Sequence, residues 1–161
     1  MWIYPYKTLP YEHQRNALKE SAEKKNWAYF MEMGTGKTKV TIDNIGFLFL
    51  QRKIDSCLII APKSVYFNWQ SEIETHLPDV IKYRIYKWNI DKPKDYFKLN
   101  EFSHLRIFLI NVEALSTKRG LEGCVDYLTR NKLNFVAVDE STTIKNRQAK
   151  RTKNILALGK I

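Results

Sequence analysis

At 161 residues, 44% of them hydrophobic, the chain has the length and composition of one globular domain with its own core. No apolar run approaches the roughly 18 residues of a membrane span, and no signal peptide is visible. Lysine and arginine number 27 against 17 aspartates and glutamates, for a net charge of +10, which favours a polyanionic partner, nucleic acid first. Cys57 and Cys124 lie far apart and share no metal-ligand spacing with the three histidines. They are expected to be reduced, buried thiols of a cytoplasmic protein.

In chain order, Pro10 to Lys25 predicts a first helix, with Ala17, Leu18 and Ala22 among its apolar positions. Gln14, near its start, carries both a donor and an acceptor, as reading an adenine edge requires; a surface glutamine would look the same. Trp27-Ala28-Tyr29-Phe30 reads as a buried strand. Next comes Met31-Glu32-Met33-Gly34-Thr35-Gly36-Lys37-Thr38, and Ile42, Ile45 and Phe49 then recur at helical spacing from Lys39 to Leu50. A strand, a glycine turn and a helix in that order make a phosphate cradle, with backbone N–H groups and the helix N-terminus facing an anion. Met33, Gly34, Thr35, Gly36, Lys37 and Thr38 would line the nucleotide. Lys37 would sit on the β/γ-phosphates and the Thr38 hydroxyl on Mg²⁺. Met31 replaces the first glycine of the strict pattern.

Cys57 to Ala61 is a continuous apolar run of the kind covered on both faces in a parallel sheet. Ser64 is placed to cap a helix that runs to about His76, before Pro78. Ile81 to Tyr86 alternates weakly and could form a strand, and residues 87–101 read as a surface excursion. Leu105 to Ile110 is a second buried strand, Leu121 to Leu128 a helix, and Asn134 to Val138 a further buried strand. That strand delivers Asp139 and Glu140 to the carboxyl edge of the sheet, where ligands bind in open parallel sheets. Asp139 could hold Mg²⁺, and Glu140 could position and deprotonate a water attacking the γ-phosphate. Lys145, Arg147, Lys150, Arg151 and Lys153 form a basic cluster that is either a solvated helix face or a nucleic-acid contact. The pattern as a whole predicts an α/β fold with a mostly parallel central sheet and helices on both faces.

Taken together, these motifs resemble the first RecA-like motor lobe of superfamily 2 helicases, and within them the Swi/Snf-type DNA translocases. Leu9 to Ala17, with His13-Gln14, is similar to the Q motif, which in that family contacts adenine. Glu32 to Thr38 resembles motif I, whose usual lack of the first P-loop glycine accounts for Met31. Ile59 to Ser64, followed by Asn68-Trp69 and Glu72, is similar to motif Ia, and Ile110 to Leu115 to motif Ib. Val138 to Thr142 resembles motif II, and the trailing Ile144-Lys145-Asn146 points to the Swi/Snf branch. Motif II usually ends Ala-His in that family; here it ends Ser141-Thr142, and the histidine position is one that often links hydrolysis to DNA movement.

The resemblance implies a P-loop NTPase that binds ATP and Mg²⁺ and grips double-stranded DNA by its phosphates. Lys63, Ser64, Thr117 and Lys118 would contribute to that grip. It also implies that residues 1–161 are a single first lobe, running from the Q motif to just past motif II, without motif III or the second lobe. An arginine from the second lobe would then be missing and ATP turnover would be poor. A sheet without its motif III strand is expected either to close the gap by rearrangement or to cover its exposed edges in an oligomer. Three other functions stay open on the residues: a small-molecule P-loop kinase, a non-catalytic DNA-binding module, and the motor subunit of a restriction system. Salt-dependent duplex binding separates the DNA-binding readings from the kinase.

Overall fold

The structure, a computed structural model, describes residues 4–92, 103–139 and 148–161. Its elements run α1 (Glu12–Ser21), α2 (Lys37–Leu50), β1 (Ser56–Ala61), α3 (Lys63–Tyr66), α4 (Asn68–His76), β2 (Tyr83–Lys87), β3 (Leu105–Asn111), a 3-10 turn (Val112–Ser116), α5 (Lys118–Arg130), β4 (Asn134–Val138) and α6 (Lys150–Leu158). The four strands form one sheet in the order β2-β3-β1-β4. All three pairings are parallel, with Ala61 opposite Asn111 and Ile60 opposite Val138. The segments that follow the strands therefore leave the sheet along one common edge.

The apolar runs of β1 and β3 are buried on both faces because helices cover both. Leu58 and Ile60 pack with Phe108, Ile110, Tyr127 and Leu128 on the α5 and α6 side. Cys57, Ile59 and Ala61 pack with Ile107, Leu109, Ile42, Ile45, Trp69 and Ile73 on the α2 and α4 side. Removing each such Ile or Leu side chain from water is worth about 1.5–3 kcal/mol. Tyr127 adds a polar pin, its hydroxyl donating to the backbone oxygens of Arg106 at 3.0 Å and Cys57 at 3.3 Å. Both cysteines are buried free thiols, and burial pushes their pKa values up.

Three local expectations are corrected. Residues 27–30 are not a strand; Phe30 is 97% exposed and Trp27 46% exposed. A strand needs a neighbour for its backbone groups, but the outer edge of β4 pairs with nothing among the described residues. The sheet therefore does not rearrange to close the gap, and the stretch leading into the cradle stays off it. Ser64 does not cap a helix: α3 begins at Lys63 with Pro62 at its N-cap, and the helical path steps at Phe67 before α4. Proline fits here because its fixed φ and missing N–H cost nothing ahead of a first turn. Finally, α1 is shorter than Pro10 to Lys25. It ends at Ser21, whose hydroxyl meets the Tyr29 hydroxyl at 2.7 Å while the Lys24 N–H turns back to the Ser21 oxygen.

Candidate functional site

The cradle is a loop of residues 31–36 capped directly by α2. Two of its glycines take the left-handed conformation, Gly34 at φ 78° and Gly36 at φ 83°, which side-chain-bearing residues adopt only at a cost. This turn presents donors outward. Among the described residues no protein acceptor meets the N–H groups of Gly34, Gly36, Lys37 or Thr38. The Thr35 carbonyl, which could have accepted from the first turn of α2, is instead turned toward α1. It accepts from Gln14 Nε2 at 3.0 Å, and His13 Nε2 lies 3.1 Å away. Such a set of unsatisfied donors at a helix N-terminus fits a phosphate group.

Gln14 is only 5% exposed and uses both ends of its amide. Its Oε1 accepts from the Tyr11 N–H at 3.0 Å, capping α1, while Nε2 holds the cradle. The observed role of the residue is thus to tie α1 to the loop. A Cβ on Gly36 would collide with that Nε2, whereas one on Gly34 would meet nothing within 4 Å. Gly34→Ala should therefore cost about 1 kcal/mol of backbone strain alone. Gly36→Ala should cost about 1–2 kcal/mol more, because the α1 tie breaks as well. Urea unfolding of the two variants checks this; equal losses would show that the Gln14 contact contributes nothing.

Lys37 Nζ donates to the backbone oxygens of Met31 and Glu32, each at 2.9 Å, so its charge is held at the mouth of the loop. One turn on, Lys39 and Asp43 form a buried ion pair at 2.7 Å. Burial raises the Asp43 pKa to about 6 against the opposing pull of Lys39. Sequence reasoning passed over this pair, although its i, i+4 spacing was legible.

Asp139 follows β4 at the carboxyl edge, its N–H donating to the Ile60 oxygen at 2.8 Å. Strand alternation puts it on the side of Phe135 and Ala137, which pack toward α2 and α4. Trp69 Nε1 of α4 donates to Asp139 Oδ2 at 2.9 Å. A carboxylate and a hydroxyl are hard oxygen ligands of the kind Mg²⁺ takes, so Asp139 and Thr38 fit that ion chemically. Glu140, Ser141, Thr142, Ile144, Lys145, Asn146 and Arg147 lie outside the described residues, as does most of the 87–101 excursion. No cluster of metal-ligating residues occurs among those described, and no described helix is long and apolar enough to cross a membrane.

The residues expected to touch DNA share the same edge. Lys63 and Ser64 are exposed at the start of α3. Thr117 caps α5, accepting from the Gly120 N–H at 3.0 Å and donating to the Ala114 oxygen at 2.7 Å. Lys118 is open to solvent, 3.8 Å from Glu122, a surface pair of little energetic worth. Between these two groups runs a groove lined by Phe67, Lys87, Asn89, Asn111, Glu113 and Thr117. Lys87 Nζ sits 5.5 Å from the Phe67 ring centroid. No local pattern encodes this groove, since its residues are distant in the chain. Of the basic cluster, Lys150 and Lys153 are exposed on α6.

Comparison with known proteins identifies the family and the fold. The SNF2-related domain family matches residues 13–161. The chain is 28% identical over 127 residues to the DNA annealing helicase and endonuclease ZRANB3 of Bos taurus, covering 79% of this chain and 11% of that protein. It is 30% identical over 125 residues to the chromatin structure-remodeling complex subunit snf21 of Schizosaccharomyces pombe, covering 77% and 10%. It is 31% identical over 138 residues to the chromatin-remodeling ATPase INO80 of Aspergillus fumigatus, covering 78% and 7%. The chain thus spans about a tenth of the length of the curated relatives it matches. Among solved structures, the Sulfolobus solfataricus SWI2/SNF2 ATPase core in complex with dsDNA superposes with a TM-score of 0.69 at 20% identity. That match covers 96% of this chain and 31% of the other, and it shows a shared RecA-like α/β fold.

Proposed function

The chain belongs to the SNF2-related domain family, and on that premise we propose that it is the ATP-binding lobe of an ATP-driven, sequence-independent DNA translocase. The observation that carries this reading is the cradle, with four N–H groups lacking acceptors among the described residues and Lys37 at its mouth. In this reading residues 1–161 are one unit, a first motor lobe. The N–H groups of Gly34, Gly36, Lys37 and Thr38 bind the phosphates of ATP. Lys37 exchanges the two backbone oxygens it now holds for phosphate oxygens, a gain because the acceptors then carry charge as well as the donor. Gln14 keeps the loop in register with α1, and an adenine contact is assigned to it only on its place in the motif. Thr38 and Asp139 would hold Mg²⁺, which when bound neutralises charge developing on the phosphates. Glu140 is assigned, on its place in the motif, the water that attacks.

α2 packs on the same face of the sheet as Asp139, which supports their working on one nucleotide. The name of one relative, a DNA annealing helicase and endonuclease, and the duplex bound by the Sulfolobus solfataricus neighbour support the choice of duplex DNA as partner. Lys63, Ser64, Thr117 and Lys118 would grip its phosphates, so binding reads backbone rather than bases. This lobe by itself should bind ATP and turn it over slowly, because the arginine that completes phosphoryl transfer is supplied across the nucleotide.

Duplex binding measured by fluorescence anisotropy across a salt series tests the DNA half. Affinity should fall steeply with salt and be indifferent to sequence. Lys63→Glu and Lys118→Glu should each flatten the log–log slope by about one. Duplex binding that ignores salt, or none at all, would overturn the DNA assignment and leave the kinase reading; slopes unchanged in both variants would overturn the roles of Lys63 and Lys118.

A further inference from the structure

Trp69 and Asp139 are 70 positions apart in the chain, yet the indole N–H of one meets the carboxylate of the other at 2.9 Å. The indole is 3% exposed, set in the apolar layer between α2, α4 and the sheet. A buried tryptophan N–H needs a partner, and here it takes the carboxylate proposed to hold Mg²⁺ rather than a backbone oxygen. Trp69 is the second residue of α4, and α4 follows α3, which begins with Lys63 and Ser64, after a single intervening residue, Phe67. Phe67 itself keeps helical angles, φ −72° and ψ −28°. The segment carrying the proposed phosphate grip and the helix whose Trp69 holds Asp139 therefore form one short rod with a single step at Phe67. We propose that Trp69 is a positioning residue that orients the Asp139 carboxylate for metal binding and transmits the position of the α3–α4 segment on DNA to the nucleotide site. This rests on the nucleotide and DNA assignments above.

One consequence concerns metal affinity. Groups that hydrogen-bond a ligating carboxylate fix its orientation, and losing one typically weakens metal binding by roughly 10-fold or more. The other is reciprocal: if DNA biases the rod, it must change Mg²⁺-ATP affinity, and Mg²⁺-ATP must change DNA affinity by the same factor. Neither consequence would follow from a tryptophan that merely fills space.

The test is calorimetric titration of ATP into the whole chain, with Mg²⁺ and with EDTA, for wild type, Trp69→Phe, Asp139→Asn and the double variant. Phenylalanine keeps most of the ring and loses the N–H. Trp69→Phe should leave the affinity in EDTA unchanged and reduce the gain conferred by Mg²⁺ roughly tenfold. In the double variant the second substitution should add nothing to the effect of Asp139→Asn. Duplex DNA should alter Mg²⁺-ATP affinity in wild type and not in Trp69→Phe. An unchanged Mg²⁺ gain in Trp69→Phe, or additive effects in the double variant, would overturn the positioning role. An equal DNA effect in both proteins, or none in wild type, would overturn the transmission. Wild type that binds no ATP under either condition would instead remove the nucleotide assignment itself. Should Trp69→Phe fail to fold, the Trp69 indole N–H resonance of wild type decides. It should shift on adding Mg²⁺-ATP and again in Asp139→Asn, and a resonance that stays in place in both would contradict the proposal.

Discussion

Lys37→Ala is expected to weaken ATP binding on the order of a hundredfold while leaving the stability of the nucleotide-free protein nearly unchanged. The two halves of that expectation have different causes. In the protein alone, Lys37 Nζ bonds the carbonyls of Met31 and Glu32, in a loop where Glu32 is solvent-exposed. Water can replace the amine there, so little is lost. With ATP bound, the same amine would face multiply charged oxygens at a helix N-terminus, and removing it costs roughly 3 kcal/mol of charge-assisted bonding. Calorimetric ATP titration and urea unfolding read the two quantities separately. Retained affinity would move the phosphate site elsewhere; a large stability loss would mean that Lys37 is a structural tie of the loop.

Gly120→Ala is expected to destabilise the protein by about 2–3 kcal/mol, lowering its melting temperature on the order of 5–10 °C. Exchanging a helical glycine for alanine ordinarily gains about 0.5–1 kcal/mol, so the sign itself is diagnostic. Gly120 lies in the first turn of α5, and its N–H donates to the Thr117 hydroxyl at 3.0 Å. A Cβ there would run into the carbonyl of Ala114, with the Thr117 hydroxyl 3.1 Å away. Unlike the end of a flexible side chain, that carbonyl is fixed. It already accepts from the Thr117 N–H at 2.9 Å and from its hydroxyl at 2.7 Å. The variant must displace the cap that sets the path from the 3-10 turn into α5, so Lys118 should move with it. Thermal unfolding of Gly120→Ala beside a surface control, Glu122→Ala, measures this. A neutral or stabilising outcome would contradict the packing described at Ala114.

What could be read from the residues was whatever depends on local pattern. β1 and β3 are continuous apolar runs, and a chain buries such runs only inside a sheet covered on both faces; β4, expected to be buried in the same way, is half-buried along its length because nothing among the described residues pairs with its outer edge. The cradle was legible because its glycines and lysine act through backbone geometry that stays local. Trp27 to Phe30 misled because aromatic residues carry strand propensity with no information about a neighbour to pair with. Ser64 misled because a proline two residues earlier had already met the needs of the first turn. The amide of Gln14 has the donor and acceptor that reading adenine requires; its buried bonds to Tyr11 and Thr35 depend on where α1 packs, which no local pattern encodes. The Trp69 bond to Asp139 and the groove beneath Phe67 join residues far apart in sequence, so only the fold reveals them.

Hydrogen exchange of the cradle amides tests the central claim most directly. The N–H groups of Gly34, Gly36, Lys37 and Thr38 meet no protein acceptor among the described residues and should exchange quickly in the protein alone. Adding ATP with Mg²⁺ should slow exchange across these four, and adding duplex DNA alone should not. Fast exchange that persists at saturating nucleotide, or protection confined to another part of the chain, would contradict the account.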